Sequence, residues 1–162
     1  MAANLRRMRQ VLTMVDDRTV QDFGEQWTHF PEPATGWYGS LDSLRDISGP
    51  LLDLGQIADR VVLDLGAGTG RFTRMLLQLG ASRVIAVEPS RAVDAFRVNT
   101  LDVAHRIDIH NIRGDQLALE NQADLAIAIG VLHHVPDPDP VVRAVHKALK
   151  PGGYFLVWLD RK

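Results

Sequence analysis

Cysteine is absent from the sequence, so disulfide bonds, thiolate metal sites and a cysteine nucleophile are excluded. No apolar run approaches the roughly 20 residues that a membrane-spanning helix needs. The basic N-terminal stretch, residues 1–15, also lacks the apolar segment of about 7–15 residues that marks a secretory signal peptide. We therefore expect a protein without a membrane span that works in the cytoplasm.

An excess of charge of either sign is also missing. The 18 Lys and Arg residues nearly balance the 20 Asp and Glu residues, which gives a formal net charge of −2. Proteins that bind nucleic acid usually carry a clear excess of basic side chains, so we expect no nucleic-acid partner. The 162 residues, of which 46% are apolar, fit one domain with a single hydrophobic core.

The chain consists of two regions that differ in composition and in the pattern of apolar residues. Residues 1–55 contain a cluster of aromatic side chains interrupted by Pro and Gly, whereas residues 56–162 alternate between short apolar runs and amphipathic stretches. We predict that the first region is a helical, aromatic cap segment and that the second is the core domain. A helix at residues 44–54 is expected to lead from the cap into the core.

Apolar runs in the second region predict strands, and the amphipathic stretches between them predict helices. Because these runs are apolar without alternation, they are typical of parallel strands buried on both faces. The expected fold is α/β, a Rossmann-like doubly wound sheet with strand order 3-2-1-4-5 and helices on both faces. The predicted strands are residues 61–65, 83–87, 106–112, 124–129 and 154–158, and the predicted helices are residues 71–79, 91–104 and 140–149.

The first predicted strand leads into a glycine loop, DLGAGTG at residues 64–70, which opens a helix. Glycines allow a sharp turn and a close approach to a ligand. The N–H groups at a helix start favour an anionic group, here a pyrophosphate or an amino-acid carboxylate. Asp64 either binds a ligand amine or braces the loop, since a buried acid needs a hydrogen bond. The predicted cofactor contacts of the loop are Asp64, Gly66, Ala67, Gly68 and Gly70.

Glu88 lies at the end of the second predicted strand, where a carboxylate can accept hydrogen bonds from both hydroxyls of a ribose. A helix cap or a surface acid is the alternative interpretation of this residue. A nicotinamide-binding domain would share these features, but its fingerprint is G-x-G-x-x-G, whereas this loop is G-x-G-x-G. The spacing therefore disfavours a pyrophosphate cradle.

Taken together and in this order, the motifs resemble the class I S-adenosylmethionine-dependent methyltransferases of the small-molecule type. The likeness covers about residues 60–160, and its specificity comes from the motifs jointly. The segments that carry it are residues 62–73 (VLDLGAGTGRFT), 87–90 (VEPS), 114–116 (GDQ), 124–138 (DLAIAIGVLHHVPDP) and 149–154 (LKPGGY).

The resemblance implies S-adenosylmethionine as the cofactor and a small molecule as the acceptor. It places the glycine loop against the methionine end of the cofactor and Glu88 on the ribose. Pro89 and Asp115 flank the adenine, with the Asp115 carboxylate near the exocyclic amine, and Ile129 and Gly130 lie near the sulfonium. The cofactor contacts that the resemblance adds to the loop are Glu88, Pro89, Gly114, Asp115, Gln116, Ile129 and Gly130.

Methyl transfer from a sulfonium needs a base only when the acceptor must lose a proton. His133 follows the fourth predicted strand, and histidines titrate near neutrality, so it is either the general base or a residue that lines the pocket. His134 is expected to point to the opposite side and to line the acceptor region. Tyr38 is predicted to cover the acceptor. Residues 23–30 loosely resemble a segment ahead of the core in some bacterial methyltransferases, which implies the same role for Trp27, and packing of Trp27 on the core is the alternative interpretation. The histidines and aspartates at residues 133–139 lack the helical i, i+4 spacing of metal ligands, so no metal is expected.

Class I methyltransferases usually continue with two further strands after the fifth, whereas this sequence ends at residue 162. We expect either a truncated chain that lacks strands 6 and 7 or a homodimer that pairs through the exposed edge of the fifth strand. A reduced natural form of the domain is the third interpretation. The leading functional hypothesis is methyl transfer to a small molecule. A protein that holds S-adenosylmethionine without turnover is the alternative, and a nicotinamide-dependent reductase is a weaker one.

Overall fold

The computed structural model describes residues 36–159 of the chain. Its centre is a parallel sheet of five strands in the order β3-β2-β1-β4-β5. The strands are β1 (Val61–Leu65), β2 (Arg83–Val87), β3 (Ile107–His110), β4 (Ala123–Ile129) and β5 (Leu149–Trp158). The predicted fold class and strand order are thereby confirmed.

Helices cover both faces of the sheet. Successive residues of a strand point to opposite faces, so the apolar side chains of each strand need packing partners on both sides. Within the described residues the α-helices are α1 (Leu41–Ser48), α2 (Arg71–Gln78), α3 (Ala92–Asn99) and α4 (Asp139–Ala148). Val62 of β1 packs in one cluster with Leu44 of α1 and Leu76 of α2. Its neighbour Leu63 packs in a second cluster with Val145 of α4. Both layers need apolar partners, so the strands carry continuous apolar runs.

Two helices differ in extent from the predicted ones. The helix predicted at residues 44–54 lies at Leu41–Ser48, because Ser40 caps its start and Gly49, with φ of 51°, ends it. The helix predicted at residues 91–104 ends at Asn99 and continues as a 3₁₀ turn. At this point the Thr100 hydroxyl donates to the Phe96 carbonyl at 2.7 Å. Such a side-chain bond competes with regular helical bonding.

The fifth strand begins five residues before the predicted start at residue 154, at Leu149. Leu149 pairs with Ala123, and the register of the β4–β5 ladder shifts between Ala123 and Leu125. The Pro-Gly-Gly turn is therefore accommodated as an irregularity inside the strand, as bulges commonly are.

At the edge of the sheet, β5 pairs only with β4 among the residues that the structure describes. Tyr154 is 67% exposed and Trp158 is 37% exposed on this strand. In residues 36–159 no further strand follows β5. No helix in the same part of the chain is long and apolar enough to cross a membrane.

Candidate functional site

The glycine loop is fastened to the end of β2. The N–H groups of Gly66 and Ala67 both donate to the Val87 carbonyl, at 2.8 and 3.1 Å. Gly66 has a φ of 74°, and a Cβ at this position would collide with the side chain of Val131. Only glycine combines this backbone conformation with this close contact. The glycine loop and the segment after β4 therefore touch each other.

Gly70 ends the loop and starts α2. Its φ of 92° is left-handed, and a Cβ there would lie 2.8 Å from Cγ2 of Thr100. The helix begins at Arg71, so the N–H groups of its first turn face the same end of the sheet as the loop.

Glu88 is the acid that joins the loop to β2. The Gly68 N–H donates to Oε2 at 2.8 Å, and the Ser90 N–H donates to Oε1 at 2.9 Å. The side chain is nearly buried, with 6% of the residue exposed. A carboxylate has about four acceptor positions, so each oxygen keeps one for a further donor. This arrangement fits a ligand with two adjacent hydroxyls, as in a ribose.

Asn111, directly after β3, was not identified from the sequence. Its Nδ2 donates to the Glu88 carbonyl at 2.7 Å and to the Ser90 carbonyl at 3.4 Å. The Glu88 N–H in turn donates to the His110 carbonyl at 3.1 Å. These bonds fix the turn that carries the Glu88 side chain. The available signal was a polar residue at the same strand-end edge as Glu88.

Asp64 is 2% exposed and lies one residue before the end of β1. Burial raises the pKa of Asp64 to about 6, and the negative charge of Glu88 acts in the same direction. The Thr73 hydroxyl opposes this effect, since it donates to Oδ2 of Asp64 at 2.6 Å. The bond joins β1 to α2 and corresponds to the bracing role that the sequence left open.

The turn Gly114–Gln116 packs against α4 and the end of β1. A Cβ on Gly114 would lie 2.9 Å from Val141 of α4 and 3.0 Å from Leu65 of β1. Asp115 accepts two hydrogen bonds from the Arg113 guanidinium, at 3.0 and 3.1 Å. Gln116 Oε1 accepts from the Arg113 N–H at 3.1 Å. Asp115 thus has a cationic partner from its own turn, which sequence analysis did not anticipate.

Residues Leu132–His134 form a 3₁₀ turn just after β4. Gly130, with a φ of 75°, redirects the chain from the strand into this turn. The imidazole rings of His133 and His134 lie 3.9 Å apart, centre to centre, at an angle of 45°. The expectation that they point to opposite sides is wrong, because that rule holds for a strand and these residues are in a turn. His133 Nδ1 is buried and has no hydrogen-bond partner within residues 36–159.

Tyr38 and Trp27 were predicted to cover the acceptor, and the structure describes only the first of them. Tyr38 lies on a 3₁₀ turn, Gly36–Gly39, and is 65% exposed. Its carbonyl accepts from the Arg71 guanidinium at 3.4 Å, so the turn borders the start of α2. Trp27 lies outside the described residues. Across residues 36–159 no group of three or more His, Asp or Glu side chains could hold a metal ion.

The carboxyl ends of β1, β2 and β4 thus bring together the glycine loop, Glu88 and the histidine turn. Ligands of open α/β sheets bind outside this edge, at the point where the strand order reverses. Here that point lies between β1 and β4. Fold and site together define a Rossmann-like domain with a cleft at this edge whose geometry fits a nucleoside.

Comparison with known proteins identifies the family. The methyltransferase domain matches residues 63–155, so the chain belongs to this family. Among curated proteins it is 37% identical to a ubiquinone biosynthesis O-methyltransferase of Pseudomonas paraeruginosa, over 65% of this chain and 47% of the relative. A protein of the same name from Bordetella avium is 32% identical, over 66% and 46%. The chain spans about half the length of the curated relatives it matches.

Solved structures agree with this assignment. An S-adenosylmethionine-dependent methyltransferase from Mesorhizobium loti has a TM-score of 0.61 and 30% identity, covering 74% of this chain and 52% of its own. A phosphoethanolamine N-methyltransferase of Haemonchus contortus, in complex with S-adenosylhomocysteine, has a TM-score of 0.60 and 26% identity, covering 77% and 28%. The predicted resemblance to class I S-adenosylmethionine-dependent methyltransferases is confirmed.

Proposed function

We propose that the chain binds S-adenosylmethionine at the carboxyl ends of β1, β2 and β4 and transfers its methyl group to a hydroxyl oxygen of a small molecule. The observation that carries this proposal is Glu88, whose carboxylate is held between the N–H groups of Gly68 and Ser90 with one acceptor position left on each oxygen. The O-methyltransferase names of the curated relatives support the oxygen acceptor. The proposed place of action is the cytoplasm.

In this proposal, different residues of the cleft contact different parts of the cofactor. Glu88 accepts from the ribose hydroxyls, and the glycine loop and Asp64 face the methionine end. The turn at Gly114–Gln116 and Pro89 flank the adenine. Ile129 and Gly130, where β4 ends, border the sulfonium. All of these residues lie at one edge of the sheet, which makes simultaneous contact with one extended ligand feasible.

S-adenosylmethionine supplies an activated methyl group, so the protein contributes mainly proximity and alignment, worth roughly 7–11 kcal/mol. A hydroxyl acceptor also has to lose its proton. The His133 Nδ1 atom is buried and has no hydrogen-bond partner among the described residues, so it is free to accept that proton. The His134 ring, tilted by 45° with its centre 3.9 Å away, restricts the orientation of the His133 ring.

Two measurements on one preparation test the proposal. Titration calorimetry with S-adenosylhomocysteine reports binding, and transfer of a radiolabelled methyl group to a panel of phenols and aliphatic alcohols reports turnover. We expect binding and at least one labelled product. Absence of binding would refute the proposed cofactor. Binding without any product would favour the non-catalytic alternative, which the partial match to the relatives keeps open.

His133 is tested with a matched neighbour. His133→Ala should lower turnover by about 100-fold or more and leave S-adenosylhomocysteine affinity unchanged, because a general base acts only in the transition state. His134→Ala removes the neighbouring ring and should cost much less. Equal losses in the two variants, or a loss of affinity alone, would assign His133 to the lining of the pocket.

A further inference from the structure

Arg71 is the first residue of α2 and directly follows the glycine loop. Its side chain is half-buried, with the guanidinium carbon 4.1 Å from the centre of the Phe72 ring. The Tyr38 carbonyl accepts from its Nη1 only at the long distance of 3.4 Å. In the part of the chain that the structure describes, no carboxylate lies within ion-pair distance of this guanidinium.

Two other arginines of this part of the molecule have carboxylate partners. Arg74, on the same helix, contacts Asp102 at 2.6 Å, and Arg113 holds Asp115 with two bonds. A partly buried cation without a carboxylate is costly, because it loses hydration without gaining an ion pair. Burial accordingly lowers the pKa of Arg71 below its usual range.

Asp64 is the carboxylate with the largest electrostatic effect on Arg71, but it does not form an ion pair with Arg71. Asp64 acts on Arg71 through space, but its carboxylate accepts from the Thr73 hydroxyl, and no ion pair joins Asp64 to Arg71. Burial also raises the pKa of Asp64 to about 6, so the negative charge of this group is itself disfavoured. Among the described residues, the Arg71 guanidinium therefore has no carboxylate in contact with it, and an external carboxylate would complement its charge and donors.

Within the proposed ligand, only one group has that character. Glu88 takes the ribose at β2, and a carboxylate ligand beside another carboxylate would be repelled. The amino-acid end of S-adenosylmethionine carries a single carboxylate. Arg71 directly follows the glycine loop whose Gly68 N–H is held by Glu88, so its side chain is a candidate for the end of the ligand that lies beyond the ribose. We propose that Arg71 binds this α-carboxylate through its guanidinium, an assignment that rests on the proposed binding of S-adenosylmethionine.

The test compares two probes that share the nucleoside. S-adenosylhomocysteine carries the amino-acid carboxylate, whereas 5′-methylthioadenosine lacks it. Arg71→Gln should weaken S-adenosylhomocysteine binding by about 10- to 100-fold, as expected for losing hydrogen bonds to a charged group, and leave 5′-methylthioadenosine binding unchanged. Arg71→Lys, which keeps the charge but loses the two-pronged geometry, should show a smaller loss for the first probe only.

Arg74→Gln is the matched control, because it removes the same group three residues along the helix, where Asp102 occupies it. It should leave the affinities of both probes unchanged. Should Arg71→Gln fail to fold, Arg71→Met retains the apolar stem on Phe72 and carries the same expectation.

An equal loss for both probes would overturn the proposal, because Arg71 would then act on the loop as a whole. Unchanged affinity for S-adenosylhomocysteine would also overturn it. A wild-type chain that binds neither probe would instead refute the proposed function, and this outcome is distinct because it precedes any substitution.

Discussion

Asp64 and Asp124 show how position decides the behaviour of one side-chain type. Burial raises the pKa of Asp64 to about 6. Burial acts upward on Asp124 too, but hydrogen bonds from Lys150 at 2.8 Å and from the Val61 N–H at 2.9 Å bring its pKa below the ordinary value. Ionisation of Asp64 therefore destabilises the folded state, whereas ionisation of Asp124 stabilises it.

Replacement of Asp64 by Asn should stabilise the protein at neutral pH and impair cofactor binding. The native carboxyl holds its proton up to about pH 6, whereas the unfolded chain releases it near 3.8. Stability thus falls as pH rises through this window, by about 3 kcal/mol at most. Asn removes this cost and keeps an acceptor for Thr73. Urea denaturation at pH 4 and 7.5 should show the gain only at the higher pH.

Asp124→Asn is the control for this experiment. It removes a carboxylate whose depressed pKa contributes stability above its unfolded value, so the variant should be less stable at pH 7.5 and approach wild type in acid. If the two variants respond to pH in the same direction, the contrast between their environments is incorrect.

At the scale of single elements, Gly66 and Gly130 form a natural pair for comparison. Both have φ near 75°, but a Cβ on Gly66 meets Val131 whereas a Cβ on Gly130 meets nothing within 4 Å. Gly130→Ala should cost about 1–2 kcal/mol of backbone strain. Gly66→Ala should cost more, because steric overlap adds to the strain. Thermal denaturation measures both.

Val131→Ala provides the check on this difference. In the Gly66→Ala background it removes the obstructing methyl groups, so the double variant should recover part of the lost stability. Strict additivity of the two single changes would show that contact with Val131 is not the cause.

The loop after β2 depends on the side chain of the residue directly after β3, Asn111. Asn111→Asp replaces a donor to the carbonyls of Glu88 and Ser90 with an acceptor, which should displace the Glu88 carboxylate. We expect the affinities for S-adenosylhomocysteine and 5′-methylthioadenosine to fall together by about 10-fold or more, since both contain the ribose. A loss confined to one probe in calorimetry would contradict this role.

For the whole molecule, the sequence predicted the sheet because buried parallel strands leave a strong pattern. The β1 and β2 runs matched the strands residue for residue. Elements set by local hydrogen bonds were harder to predict. The break at Thr100 depends on a local side-chain bond, the histidine turn on turn geometry, and the clamp by Asn111 on a contact between segments distant in sequence. None of these leaves a simple periodicity in the sequence.

The cap at residues 1–55, the homodimer and the roles of individual site residues remain predictions. For the homodimer, sedimentation over a range of concentrations is the direct measurement, because pairing through the exposed edge of β5 would make the molecular mass depend on concentration.

The two edges of the sheet carry different kinds of polar contact. At the amino edge, Asp124 links the first residue of β1 to Lys150 of β5, far from the cleft. At the carboxyl edge lie Asp64, Glu88 and the histidine turn. Variation in the turn at residues 131–135 would therefore leave the Asp124 linkage intact. The fold can acquire new acceptor preferences by changing one rim of the sheet while the opposite rim preserves its assembly, which makes this domain a tolerant starting point for directed evolution.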